Sequence, residues 1–169
     1  MKKILFIFLI FSSFVFAENC PFCDRKVIDY QKYYEDDISF GLYEYRPLVD
    51  GHCLIIPKRH VQRFEELDSN EITALYELIK KTNVAVQKAY NTSSYMLLQK
   101  NGKSVGQTVD HLHFHYIPGK ENTSGFWFIM KFLFYPLKQK INPSQMQKAT
   151  NKIVRALDSS IDTSNQISR

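Results

Sequence analysis

Hydrophobic and polar positions follow two different periods along this chain, and the periods predict where strands and helices lie. Stretches with two-residue alternation, or short apolar runs, are typical of strands; we predict them at residues 32–35, 39–45, 53–56, 95–99 and 111–117. Apolar residues at three- and four-residue spacing predict a long helix from Ser69, which can cap it, to about Tyr90, and a last helix from Pro143 to about Leu157. Because strands and helices do not alternate regularly, we expect one α+β domain with a mainly antiparallel sheet.

The first 17 residues have the pattern of an export signal. Lys2 and Lys3 precede a nearly unbroken apolar run over residues 4–16, and Ala17 offers a cleavage site before Glu18. The run is shorter than the ~20 residues of a membrane-spanning helix. We predict a signal peptide over residues 1–17, a domain over 18–157, a flexible polar tail over 158–169, and an exported, periplasmic or other extracytoplasmic protein; membrane attachment would require an uncleaved signal.

Composition and charge narrow the functional classes. The chain has 169 residues, of which 44% are hydrophobic, so it can bury a sizeable core. Removing the signal leaves 20 basic and 17 acidic residues, a formal charge of +3. That charge is too small and too scattered to indicate a nucleic-acid partner, although it suits an anionic small molecule.

Three alternating histidines are the clearest candidate for chemistry. His111, His113 and His115 fall two residues apart, so a strand would place their imidazoles on one face. Such a row can bind a metal, form a polar surface, or act as a nucleophile with its supporting groups. The preceding loop contains Gly102 and Gly106, whose backbone N–H groups suit phosphate oxygens.

Three segments of the chain resemble the histidine triad (HIT) family of nucleotide hydrolases and transferases. Residues 107–118 read QTVDHLHFHYIP, like the family's His-φ-His-φ-His-φ-φ pattern. Residues 51–60 read GHCLIIPKRH, like Gly-His-x-Leu-[Val/Ile]-Ile-Pro-Lys-x-His, and residues 20–23 read CPFC, like the Cys-x-x-Cys that opens many bacterial members. The resemblance implies a HIT-like, mainly five-stranded antiparallel sheet with one long and one C-terminal helix, usually paired as a homodimer.

The resemblance also implies roles for individual residues. His113 would be the nucleophile that takes a nucleotidyl group from the α-phosphate, and His115 would lie beside the phosphate and leaving group. His52 would support the nucleophile from the neighbouring strand. The implied nucleotide-binding residues, with a purine nucleotide or nucleotide conjugate as ligand, are Glu44, Asn101, Gly106, Gln107, Thr108, Val109 and His115, and Gln107 is also counted with the catalytic set. Glu44 stands where relatives carry Asp or Asn, so a solvated strand residue is an equal interpretation of it.

The cysteine pair allows two interpretations. Cys20 and Cys23 can bind a structural zinc ion, which in similar HIT proteins is completed by residues matching His60 and His111. Alternatively, a Cys-x-x-Cys in an exported protein can act in thiol–disulfide exchange. We favour zinc, with no cofactor required for catalysis. Cys53 has the pattern of a small core residue.

A last feature is the segment 126–135, nearly all large and apolar. We expect it to contribute to the core and a dimer interface, with contact to a membrane as the alternative. The leading functional hypothesis is a HIT-type phosphoramidase or nucleotide hydrolase acting on nucleoside phosphoramidates, dinucleoside polyphosphates or adenylates through a covalent nucleotidyl-histidine. The alternatives are a low-turnover nucleotide-binding or scaffolding protein and an exported thiol oxidoreductase.

Overall fold

A five-stranded antiparallel sheet organises the chain and confirms the α+β prediction. The computed structural model describes residues 20–121 and 123–167, without the side chains of residue 136 and residues 161–167. The predicted signal over residues 1–17 lies outside this part of the chain. The strands are β1 Lys32–Glu35, β2 Ser39–Tyr43, β3 Cys53–Pro57, β4 Tyr95–Gln99 and β5 Phe114–Pro118, in the spatial order β1-β2-β3-β5-β4.

Both faces of the sheet are covered. The long helix α2 (Ser69–Tyr90) and the helix α4 (Pro143–Ile167) pack on one face. Helix α1 (Arg25–Gln31) contacts α4 as well, and its Ile28 belongs to the smaller core cluster on the other face. Along β3 the alternation is visible directly, because Cys53 and Ile55 belong to the larger core cluster while Leu54 and Ile56 belong to the smaller one. The central strand is therefore buried on both sides.

The helix boundaries follow local capping chemistry. Asp68, not Ser69, caps α2: its carboxylate accepts the amides of Asn70 and Glu71, and the Glu71 side chain accepts the Asp68 amide in return. The last helix runs to Ile167, so the prediction that it ends at about Leu157 is wrong by ten residues.

The apolar segment near residue 130 departs most from expectation. It forms helix α3 (Gly125–Leu133), followed by a 3₁₀ turn at Tyr135–Leu137, and no residue of α3 is buried. The prediction that this segment contributes to the core of the domain is therefore wrong. Among the described residues, no helix has both the length and the hydropathy needed to cross a membrane.

Candidate active site

The histidine segment approaches β5 as an irregular stretch, which separates the three imidazoles. The strand begins only at Phe114, because the Leu112 amide donates to the Val61 carbonyl at 2.6 Å instead of joining a ladder. The prediction of a strand from residue 111 is wrong for its first three residues. As a result His111 turns toward the cysteines, while His113 and His115 remain adjacent, with ring centroids 4.9 Å apart.

One ring nitrogen of His113 forms a hydrogen bond, and the other forms none with the described residues. The Nδ1 atom lies 2.7 Å from the His111 carbonyl oxygen, which can only accept, so Nδ1 carries the hydrogen. In the neutral ring Nε2 then holds a lone pair, and within the described part of the chain it has no hydrogen-bond partner. This is the arrangement that a nucleophilic imidazole requires.

A chain of hydrogen bonds fixes the tautomer of His115. The Leu48 amide donates to Nδ1 of His52 at 3.1 Å, so His52 carries its hydrogen on Nε2. That Nε2 lies 3.0 Å from Nδ1 of His115 and donates to it. Neutral His115 must therefore carry its own hydrogen on Nε2, as a donor. The sequence predicted that His52 supports His113, whereas the structure bonds His52 to His115.

Burial keeps these imidazoles uncharged. Desolvation, followed by the charge of His113, lowers the pKa of His52 to about 3, and desolvation, followed by the charge of His52, lowers that of His115 to about 2. Burial likewise lowers the pKa of His113. At neutral pH all three rings are neutral, so the tautomers assigned above are the relevant forms.

The loop before the histidines is held by Gln107. Its side-chain oxygen accepts the Gly102 amide at 2.6 Å, and its nitrogen donates to the carbonyls of Gln62 and Val109. The amides of Gly106 and Gln107 close the loop on itself. The backbone amides of Thr108 and Val109, directly before the histidines, bond to no other residue in the described ranges.

Two other predicted nucleotide-binding residues, Asn101 and Glu44, are bonded within the protein or buried. Asn101 accepts the Phe64 amide and the Gln99 side chain through Oδ1, so that oxygen serves the loop itself. Glu44 is 4% exposed, and it lies close enough to His52 and His115 for their polar atoms to fall within 4.8 Å of one another. Burial raises the pKa of Glu44, partly offset by the Arg46 amide, which donates to its carboxylate.

Sequence reasoning missed Lys100. Its ammonium lies 3.3 Å from the Gly106 carbonyl, and its charge contributes to lowering the pKa of both His113 and His115. The side chain therefore brings a positive charge to the edge of the imidazole pair, where an anionic phosphate would be attracted. Its position at the end of β4, next to the glycine loop, was the only available signal in the sequence.

The four predicted metal ligands form a second cluster, separate from the one that contains His52 and His115. Sγ of Cys20 and Nδ1 of His111 are 3.4 Å apart, Sγ of Cys23 and Nδ1 of His60 are 3.4 Å apart, and Sγ of Cys23 and Nδ1 of His111 are 3.6 Å apart. Zinc bonds of about 2.3 Å to sulfur and 2.0 Å to nitrogen at a tetrahedral angle imply a sulfur–nitrogen separation of about 3.5 Å. The donor set fits a tetrahedral zinc ion.

The surroundings of His111 support the same assignment. Its Nε2 lies 2.9 Å from the Pro57 carbonyl, which orients the ring with Nδ1 toward the cysteines. Phe22, between the two cysteines in sequence, places its ring edge-on to His113, with centroids 5.1 Å apart. Like Lys100, Phe22 is a neighbour of His113 that the motifs did not identify.

Several known proteins are similar to this chain in sequence. The family described as the HIT domain matches residues 25–122. Adenylylsulfatase HINT3 of Arabidopsis thaliana is 36% identical over 113 residues, which are 64% of this chain and 56% of that protein. Adenosine 5'-monophosphoramidase HNT1 of Saccharomyces cerevisiae is 34% identical over 108 residues, 63% of this chain and 66% of that protein. The chain thus spans between half and two thirds of the length of these relatives.

A solved structure extends the comparison to three dimensions. The Plasmodium falciparum diadenosine triphosphate hydrolase, solved in complex with Cyclomarin A, superposes with a TM-score of 0.64 at 25% identity. The superposition covers 77% of this chain and 78% of that one.

Proposed function

Since this chain belongs to the HIT domain family, we propose that it is a nucleotide hydrolase acting at the α-phosphate of nucleoside phosphoramidates, dinucleoside polyphosphates or adenylates. The three similar proteins described above are named for these three chemistries. The observation that carries the proposal is the pairing of an acceptor Nε2 on His113 with a donor Nε2–H on His115. One ring is set to attack phosphorus and the other to stabilise the charge that this attack displaces.

The reaction proceeds in two displacements. Nε2 of His113 forms a bond to the α-phosphorus while the bond to the leaving group breaks, and the leaving atom takes up the proton of Nε2–H of His115. Lys100 and the amides of Thr108 and Val109 offset charge on the phosphate oxygens. The oxygen of a water molecule then bonds to phosphorus while the bond to Nε2 of His113 breaks, and one water proton returns to Nε2 of His115. This releases the nucleoside 5'-monophosphate and restores both imidazoles. Glu44 takes the ribose hydroxyls, with purine nucleotides as the preferred ligands.

Replacement of His113 tests this proposal. His113→Asn keeps a polar side chain but cannot attack, so it should bind adenosine 5'-monophosphate with near-normal affinity while turnover falls by several decades. The substrates are adenosine 5'-phosphoramidate, diadenosine triphosphate and adenylyl sulfate, and mass spectrometry of acid-quenched enzyme detects a nucleotidyl adduct. The matched variant His115→Asn should still form the adduct, but slowly. A wild type that never carries the adduct on residue 113 contradicts the mechanism.

The cysteine–histidine cluster serves, in this proposal, as a structural zinc site. Cys20, Cys23, His60 and His111 supply a closed set of four ligands, which leaves no position for substrate. Zinc would fix the chain before α1 to the segment that carries the nucleophile. Metal analysis of reduced protein should find about one zinc per chain, and a Cys20–Cys23 disulfide in native protein would contradict this assignment.

A homodimer is the proposed assembly. Strand β4 is one of the two edges of the sheet, and its Leu97 is 41% exposed on the face that α2 covers. A neighbouring apolar groove is lined by α2 side chains and by Phe64 and Phe114. Pairing of two β4 edges would cover both features. Light scattering that gives a monomer mass at working concentrations would refute the dimer.

Export through residues 1–17 also remains a proposal, supported by the sequence pattern alone. The protein purified from its own compartment should begin at Glu18, and an intact Met1 would contradict a cleaved signal.

A further inference from the structure

Helix α3 and the turn after it expose a continuous set of large apolar side chains. We call this set the apolar strip; its members are 55–77% exposed, and they are Phe126, Trp127, Ile129, Leu133, Phe134 and Leu137. Within the described ranges, the one element against which α3 packs extensively is the following 3₁₀ turn. The aromatic rings instead contact one another, Phe126 with Trp127 and Phe128 with Phe132. Contiguous exposed apolar surface of this kind marks an interaction site.

The segment that carries the apolar strip has charged side chains of one sign only. Residues 122–157 contain six Lys and Arg and no Asp or Glu. Lys131 lies within α3, and Lys138 follows the turn directly. Neither forms an ion pair with another residue of the described chain. Both line a cavity of about 470 Å³ with Lys120; Asp50 and Glu121 also line it, and Glu121 is bonded to Ser93.

This combination selects an anionic bilayer over a second copy of the chain. A two-fold contact brings the same patch of both copies together, so it would bring the two lysine-rich segments close to each other. An anionic lipid surface offers the opposite charge to the lysines and an apolar interior to the strip. Nine residues cannot cross a bilayer, but an aromatic helix with basic neighbours suits the headgroup boundary.

We propose that the apolar strip inserts into the headgroup region of anionic membranes, with Lys131 and Lys138 bound to lipid phosphates. The protein would thereby act at a membrane surface, independently of whether its N-terminal segment is retained. This inference does not rest on the nucleotide hydrolase proposal, since no residue of the strip belongs to the histidine site.

The single tryptophan of the chain makes the test direct, because Trp127 lies in the apolar strip. Full-length protein is mixed with vesicles of phosphatidylcholine alone, or of phosphatidylcholine with phosphatidylglycerol. With the anionic vesicles, Trp127 emission should shift to shorter wavelength and be quenched by brominated lipid. Unchanged emission, or an equal response to neutral vesicles, would overturn the proposal. This fluorescence measurement needs no variant and reports on α3 alone, because Trp127 is the single tryptophan.

Matched variants separate the apolar and charged contributions. In co-sedimentation, Ile129→Ser with Leu133→Ser should weaken vesicle binding by about tenfold or more, because large apolar side chains lose their burial. Lys131→Glu with Lys138→Glu should weaken binding to anionic vesicles by at least about fivefold per position. The controls are Val84→Ser, an exposed apolar residue of α2, and Lys26→Glu, an exposed lysine of α1. Equal losses in the controls would overturn the assignment to this strip.

A second copy as the true occupant gives a different result. If Ile129→Ser with Leu133→Ser lowers the oligomeric mass in vesicle-free solution, the strip is a contact between chains and the membrane proposal is wrong. Circular dichroism confirms that each variant retains its fold.

Discussion

Two substitutions at His52 separate its contribution to folding from its contribution to catalysis. The ring is 2% exposed and joins two partners, accepting from the Leu48 amide and donating to His115. An asparagine oxygen can take the place of Nδ1, and a glutamine nitrogen can take the place of Nε2. His52→Asn should therefore keep the bond to Leu48 and lose the bond to His115, while His52→Gln should do the reverse.

The expected magnitude follows from the bond that each variant loses. A buried neutral hydrogen bond contributes about 1 kcal/mol, which corresponds to roughly fivefold in a rate when the bond acts only on the transition state. Without His52, neutral His115 can place its hydrogen on either nitrogen, and only the Nε2–H form stabilises the leaving atom. His52→Asn should thus lower kcat/KM several-fold, whereas His52→Gln should lose thermal stability and keep most of its activity.

The leaving group provides the readout that a purely structural role would not change. An amine leaving group develops charge on a single basic atom, so it depends strongly on the His115 donor. A 4-nitrophenyl ester spreads its charge over the ring and depends on it less. We expect His52→Asn to slow adenosine 5'-phosphoramidate cleavage more than cleavage of the 4-nitrophenyl ester of adenosine 5'-monophosphate. Equal losses on both substrates, in protein with a normal melting temperature, would refute the tautomer argument.

Two further predictions concern the metal cluster and the acid stability of the fold. Burial and the neighbouring Cys20 raise the pKa of Cys23 to about 11, so zinc uptake by metal-free reduced protein should release protons and raise the melting temperature. A pH-indicator titration measures the protons and calorimetry measures the melting temperature. Zinc uptake without proton release would contradict thiolate ligation. Bonds from Lys32, Lys58 and Arg25 lower the pKa of Glu35 from 4.5 to about 2, so its stabilising contribution is present above pH 4.5 and is lost as the pH falls toward 2. Urea unfolding near neutral pH and in acid should show a smaller acid loss for Glu35→Gln than for wild type, and equal losses would exclude this group as a source.

The elements that sequence patterns predicted well are those whose own residues determine them. Strands β1 and β4 and helix α2 have the predicted bounds, because alternation, apolar spacing and a nearby capping residue are local properties. The grouping of Cys20 and Cys23 with His60 and His111 was implied by family resemblance, and the structure brings those four residues together. The spacing of these residues in the sequence could not have predicted the cluster, since its members lie up to 91 positions apart.

The features that escaped prediction depend on tertiary context. A run as apolar as the one around Phe128 predicts burial, yet α3 has no buried residue, because no other described element covers it extensively. The two-residue histidine period predicted a strand with three imidazoles on one face. In the structure the strand begins only at Phe114, because the Leu112 amide bonds to Val61 instead of a neighbouring strand. The sequence of each segment therefore does not show which other residues it contacts.

The first histidine of the row connects the candidate metal cluster to the candidate nucleophile through three separate groups. Its Nδ1 faces the cysteine sulfurs, its Nε2 is bonded to the Pro57 carbonyl on β3, and its own carbonyl accepts the Nδ1–H of His113. The last bond keeps the lone pair of His113 on Nε2. Because the ring of His111 is held from two sides, the position of its carbonyl is fixed as well. A metal at Cys20 and Cys23 would therefore act on the chemistry only indirectly, by holding the main chain that sets the tautomer of His113. Phe22, which lies between the two cysteines and contacts the His113 ring edge-on, would restrict the movement of that ring.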